Sequence, residues 1–208
     1  MSRTTEGSGA RAICVFCASS TSIDPVHVET AADVGTEIAR RGWTLVSGGG
    51  TVGSMGSVAR AARAAGGHTI GVIPRALVAM EVADHDADEL VVTDDMRERK
   101  GIMDARSDAF LGLPGGLGTL EELLEVWVAR SLGMHAKPIV VLDPDGTYAG
   151  LRTLVDDLMR ASFVRPEARD AVEWATTVPE AFALLERAWA SSDLPPEPTP
   201  EEVLEAEP

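Results

Sequence analysis

The feature that most constrains this chain is an alternation in which apolar runs of strand length are separated by Ala-rich segments with helical periodicity. The runs are Ala12 to Cys17, Trp43 to Val46, Thr69 to Ile73, Leu90 to Thr93, Ala109 to Leu113, Pro138 to Leu142 and a weaker Glu173 to Thr176. Their near-continuous apolar character predicts strands covered on both faces, as parallel strands joined by helical crossovers require. Local punctuation agrees: Asp24 and Pro25 open one helix as N-cap and first-turn residue, and Gly66-Gly67 closes another. This order predicts an α/β fold, a single doubly wound parallel sheet with helices on both faces. Such sheets bind ligands outside the carboxyl ends of their strands, beside helix N-termini.

Residues 1–10 are polar and contain Gly and Ser, and residues 193–208 hold five Pro and five Glu without apolar periodicity. Both are expected to be disordered tails around one domain, residues 11–192, large enough to fold without disulfide or metal staples. A net charge of −15 opposes non-specific attraction to nucleic acid or to an anionic membrane, so any anionic ligand must be small and met by a local site. No stretch approaches the roughly 20 apolar residues of a membrane span, and no apolar segment follows the N-terminal charges, so a cytoplasmic protein is expected. Cys14 and Cys17 form a lone CxxC inside a strand, where residues three apart face opposite sides and cannot share a metal. The acidic stretch Asp84, His85, Asp86, Asp88, Glu89 reads as a solvated loop. No metal and no cofactor is expected.

Two glycine loops follow strands. The first, Ser47 to Gly56, precedes the helical Ser57 to Ala65, and its glycines let backbone amides approach a small anion at a helix N-terminus. Gly48, Gly50 and Gly53 satisfy GxGxxG, but the next strand ends Ile73-Pro74-Arg75, without the acidic residue that would hold a ribose. Arg75 keeps an NADP reading open, and a tight strand-to-helix turn with no ligand is a separate reading of the glycines. The second loop, Pro114 to Glu122, enters a helix marked by Leu120, Leu123, Leu124, Trp127 and Val128, and it lacks the GK[ST] ending of a nucleoside triphosphatase. Thr119-x-x-Glu122 is also the spacing of a capping box, a role that needs no ligand. Glu121 suits a first helical turn, and Glu125 reads as solvated. Met96-Arg97-Glu98-Arg99-Lys100 opens a further helix after a strand end, where Arg99 or Lys100 is placed to neutralise a phosphate or pair with a carboxylate.

Together these segments resemble the Lonely Guy (LOG) family. The resemblance rests on PGGxGTxxE at Pro114 to Glu122, M-x-x-R-K at Met96 to Lys100, the Gly-Ser-Met-Gly ending of the first loop, Cys17-Ala18-Ser19-Ser20, and Leu132-Gly133-Met134-His135 with Lys137-Pro138. It spans roughly residues 12–180. It implies a Rossmann-like fold, a homodimer or higher assembly with sites near the subunit interface, and hydrolysis of cytokinin riboside 5′-monophosphates or AMP to free base and ribose 5-phosphate. The implied catalytic pair is Arg99 and Glu122. Gly115, Gly116, Gly118 and Thr119 correspond to phosphate-binding positions, with Glu121 beside them and Glu81 an acidic substrate contact. Ser19, Gly49, Gly50, Thr51, Met96, Lys100 and Leu117 complete the implied substrate-binding set.

These residue types suit the reaction. Cleaving an N-glycosidic bond develops oxocarbenium character on the ribose, and a carboxylate such as Glu122 stabilises that charge or orients water. Arg99 would hold Glu122 or the ligand, its high pKa making it a poor acid near neutrality. The chain departs from the family's T-W-x-Q with Arg130 in place of Gln, and has Ala18 in the early C-x-S-S; both bear on the base pocket. Two rival readings remain: a nucleotide or cofactor carrier that does not hydrolyse, and a decarboxylase using pyridoxal phosphate. The second needs a Schiff-base lysine, and the chain has only Lys100 and Lys137.

Overall fold

The structure, a computed structural model, describes residues 11–78 and 82–190. Both predicted tails and Glu81 lie outside the described residues. The elements run β1 (Ala12–Phe16), α1 (Pro25–Arg40), β2 (Thr44–Ser47), α2 (Gly53–Ala64), β3 (Thr69–Pro74), α3 (Arg75–Val78), β4 (Glu89–Thr93) and α4 (Met96–Ala105). They continue β5 (Ala109–Gly112), α5 (Leu117–Ser131), β6 (Ile139–Leu142), α6 (Ala149–Arg160), α7 (Pro166–Asp170), β7 (Glu173–Ala175) and α8 (Val178–Ala190). One seven-stranded sheet in the order β4-β3-β2-β1-β5-β6-β7, parallel throughout, confirms the doubly wound reading. The strand order reverses between β1 and β5, so the loops leaving these two strands flank the switch point where ligands bind.

Side-chain alternation divides the sheet between two cores. Ile13, Val15 and Cys17 pack with Val34, Ile38, Val58 and Phe182 of α1, α2 and α8. Cys14 and Phe16 pack on the other face with Phe110, Met103, Leu123 and Trp127, beneath α4 and α5. The two cysteines are therefore free, buried and on opposite faces, as the strand spacing predicted. Burial on both faces holds for β3, β5 and β6 but fails for edge strand β4, where Val92 is 40% exposed. Strand β2 begins one residue late because Trp43 instead packs on Phe182 and edge-on to Trp189. The acidic stretch is not simply solvated: Asp84 is buried and takes two hydrogen bonds from Arg63, and Asp88 accepts from the amide and hydroxyl of Thr69. No described helix is long and apolar enough to cross a membrane.

Helix α1 begins as its sequence dictates, with the Asp24 carboxylate accepting from Val26 N and Pro25 in the first turn. It crosses α2 at Gly35, where an added Cβ would lie 2.1 Å from the carbonyl oxygen of Val58. Because the obstacle is backbone, Gly35→Ala is expected to destabilise by about 1–3 kcal/mol, the cost of overpacking. A urea midpoint unchanged from wild type would refute the close crossing.

Candidate active site

The switch point opens into a cleft of about 710 Å³, lined by the loop after β1, the first glycine loop, α4, the Pro114 loop and the start of α5. Of the sequence-predicted residues it gathers Ser19, Gly50, Met96, Arg99, Gly115, Gly116, Leu117, Gly118, Thr119, Glu121 and Glu122. Gly49 and Thr51 lie behind the lining. Lys100 faces a smaller hollow on the other side of α5.

At the floor, Arg99 and Glu122 meet. Both are buried, and Nη1 of Arg99 donates to Oε1 of Glu122 at 2.6 Å. Arg99 reaches inward because α4 starts one turn earlier at Asp95, whose carboxylate accepts from the amides of Arg97 and Glu98. Its Nε also donates to the carbonyl of Val72 in β3 at 3.0 Å, leaving the guanidinium little freedom. Burial pushes the Glu122 carboxyl above the usual carboxylate range, and the Arg99 charge opposes that rise without cancelling it. The result is a desolvated, oriented carboxylate whose field is strong because little water screens it.

The capping-box reading of Glu122 is overturned. Helix α5 begins at Leu117 with Gly116 as N-cap, so Thr119 lies inside the first turn and no side chain caps the helix. Glu122 is turned into the floor toward Arg99 instead. The first amides of α5 are thus left without a side-chain cap beside the cleft, an arrangement suited to an anion. Gly115 is required for this packing, since a Cβ there would lie 2.2 Å from Oγ1 of Thr119. Glu121 and Glu125, read from sequence as a first-turn acid and a solvated residue, both pair with Lys100, Glu121 at 2.5 Å. Leu124 and Val128 are not core residues of α5; they are 40% and 54% exposed.

The first glycine loop has a different role from the one its glycines suggest. Helix α2 starts at Gly53, four residues before the predicted Ser57. Thr51 N donates to Val82 O, Met55 N to Ala18 O and Gly50 N to Sδ of Met55, so these amides are engaged within the fold. Gly49 and Gly53 adopt positive φ, +70° and +57°, which favours glycine. Gly48 has its own function: a Cβ there would lie 2.0 Å from Nη2 of Arg99. Gly48→Ala should push the guanidinium off Glu122, lower turnover about a hundredfold, the scale of a misplacement near 1 Å, and destabilise the fold by weakening a buried ion pair. Unchanged turnover would show that Arg99 tolerates the shift. Arg75, the residue that kept an NADP reading open, is 73% exposed and faces Asp94 at 3.4 Å, outside the cleft lining.

Sequence reasoning missed Tyr148, which is buried and whose hydroxyl faces the carbonyls of Leu113 (3.1 Å) and Gly115 (3.3 Å), holding the second loop. It also missed His27 and Thr147, which line the cleft. A lone His on a helix and a Thr in a turn carry no motif. Arg130, the departure from the family's Gln, donates to the carbonyls of Ala136 and Lys137 and is not among the lining residues; Ala18 is. Among the described residues no group of three or more His, Cys, Asp or Glu is placed to hold a metal ion.

A family described as possible lysine decarboxylases matches residues 55–185. A cytokinin riboside 5′-monophosphate phosphoribohydrolase of Mycobacterium tuberculosis is 52% identical over 185 residues, covering 88% of this chain and 97% of that protein. The chain belongs to the LOG family. A LOG relative from Arabidopsis thaliana bearing the same enzyme name is 42% identical over 85% of this chain and 82% of its own length. The LOG fold is shared more widely: the molybdenum cofactor carrier protein of Chlamydomonas reinhardtii superposes with a TM-score of 0.69 at 25% identity, over 88% of this chain and 100% of that one. The decarboxylase wording does not fit this cleft. Lys100 is drawn to Glu121 and Glu125, Lys137 to the carbonyl and carboxylate of Asp104, and neither lines the opening.

Proposed function

We propose that this LOG-family chain hydrolyses the N-glycosidic bond of adenine-type nucleoside 5′-monophosphates, cytokinin riboside 5′-monophosphates or AMP, giving free base and ribose 5-phosphate. The observation that carries the reading is the buried Arg99–Glu122 pair on the floor of a cleft whose wall is the uncapped start of α5. The phosphate would sit on the α5 amides with Gly115, Gly116, Gly118 and the Thr119 hydroxyl around it. That places the ribose over Glu122. As the C1′–N9 bond breaks, the carboxylate stabilises positive charge on the ribose and orients a water whose oxygen bonds to C1′. Water supplies the proton that leaves with the base. Ser19, Gly50, Glu81, Met96, Leu117 and Glu121 belong to the proposed substrate-binding set, Lys100 acting through its hold on Glu121 and Gly49 and Thr51 through the shape of the first loop.

The proposal includes a homodimer and a cytoplasmic setting. Leu117, Leu124 and Val128 are exposed at spacings of seven and four on α5, with exposed Met96 and Met134, an apolar surface suited to a second copy. Light scattering of the purified protein tests the assembly. The activity is tested by release of free base from AMP and from isopentenyladenosine monophosphate. The likeness to the molybdenum cofactor carrier favours one alternative, a carrier. Nucleotide binding without base release would select it.

A further inference from the structure

The cleft poses a charge problem. Among the described residues that line it, only Arg99 and His27 can carry positive charge, whereas Glu121 and Glu122 are both present. Arg99 is committed to Glu122 and to the carbonyl of Val72. Lys100 is held by Glu121 and Glu125. A phosphate monoester brings a charge near −2 at neutral pH, and a helix N-terminus offsets only about half a charge. A second cation is needed at the phosphate end.

His27 lines the same cleft. It lies in the first turn of α1, which follows β1, just as α5 follows the neighbouring β5. Its Nε2 lies 3.6 Å from Oδ2 of Asp145, and its side chain is 19% exposed. The other Asp145 oxygen accepts from the hydroxyl of Thr147 at 2.9 Å, and Thr147 itself lines the cleft. The next residue, Tyr148, holds the carbonyl of Gly115 in the second loop. From behind, the Ser54 hydroxyl donates to the carbonyl of His27 at 3.2 Å. One turn, Asp145 to Tyr148, thus connects His27 to the loop that precedes α5.

We propose that His27, its ring set beside Asp145, binds the substrate's 5′-phosphate opposite the α5 amides. The inference rests on the nucleotide reading above. Asp145 lies 3.6 Å from one ring nitrogen, and a ring N–H donates to the phosphate in a charge-assisted hydrogen bond. This makes His27 a binding residue for the phosphate, with no part in bond cleavage.

The test compares wild type, His27→Gln and His27→Lys. AMP kinetics are measured beside calorimetric titration with ribose 5-phosphate and with adenosine, which lacks the phosphate. His27→Gln should weaken ribose 5-phosphate binding and raise the KM for AMP by about ten- to a hundredfold, the range of a lost charge-assisted hydrogen bond, with a much smaller effect on kcat. Adenosine affinity should stay at the wild-type value, and His27→Lys should recover part of the phosphate affinity. Should His27→Gln lower only the melting temperature while ribose 5-phosphate binds as before, His27 is a structural tie and the proposal is overturned. If wild type binds AMP without releasing base, the hydrolase reading fails alone, and the ribose 5-phosphate titrations still decide the role of His27.

Discussion

Glu122→Gln is expected to lower kcat for base release by about a hundred- to a thousandfold, the loss typical of removing one preorganised electrostatic group from an active site, in a chain that still folds but is destabilised by the uncompensated Arg99 charge. Glutamine keeps the size of glutamate and an oxygen that can accept from Nη1 of Arg99, so the floor of the cleft retains its shape. In the proposed mechanism it removes the negative charge that faces the developing oxocarbenium ion. The pH profile separates this cause from a packing effect. Burial holds the Glu122 carboxyl above its ordinary range, and Arg99 only moderates the rise. In the proposed mechanism the active form is the carboxylate, whose population grows with pH, so wild-type kcat should climb through an inflection above the ordinary glutamate value of about 4.3. In Glu122→Gln that acidic limb should vanish and leave a low, flat rate. A limb that persists in the variant would assign the titration to another group and remove Glu122 from its role.

The fold was legible because its signal is repeated. Seven apolar runs in alternation with helices are difficult to satisfy with anything but a parallel sheet, and the structure returned all seven with small shifts at their ends. The shifts have local causes, such as Trp43 leaving the strand to pack on Phe182. Of the candidate site, the sequence marked the side chains that carry chemistry in a motif, Arg99 and Glu122, and the structure brings these two together. The site was obscure where function depends on space. Nothing in the order of residues shows that Gly48 makes room for the Arg99 guanidinium, or that Gly115 makes room for Thr119. The capping box misled for a related reason: Thr119-x-x-Glu122 is a valid local spacing, but α5 starts two residues before Thr119, and a buried arginine from α4 outcompetes a backbone amide for the carboxylate. Tyr148 was invisible because its partners, the carbonyls of Leu113 and Gly115, lie more than thirty residues away.

Arg99→Ala should cost more than activity. Removing one member of a buried ion pair leaves the other charge without compensation, a loss of about 3–5 kcal/mol, or roughly 6–20 °C in Tm for a domain of this size. Glu122 would then sit buried beside a void, with only the weaker pull of Lys100 opposing the desolvation that already raises its pKa. The sign of the pH dependence follows. With a folded-state pKa raised further above the unfolded value of about 4.3, the variant is least handicapped below that value, where the carboxyl is protonated in both states. Its handicap grows as pH rises toward the folded pKa, because the unfolded chain releases the proton and the folded chain resists. Urea denaturation of wild type and Arg99→Ala should therefore diverge from pH 4 to pH 7. The double variant Arg99→Ala, Glu122→Gln, with no charge to bury, should recover much of the stability and none of the turnover. If Arg99→Ala proves as stable as wild type at pH 7, or the double variant is no more stable than the single one, water reaches the floor of the cleft and screens Glu122. The low-dielectric account of its reactivity would then have to be abandoned along with the stability claim, since both rest on the same buried charge.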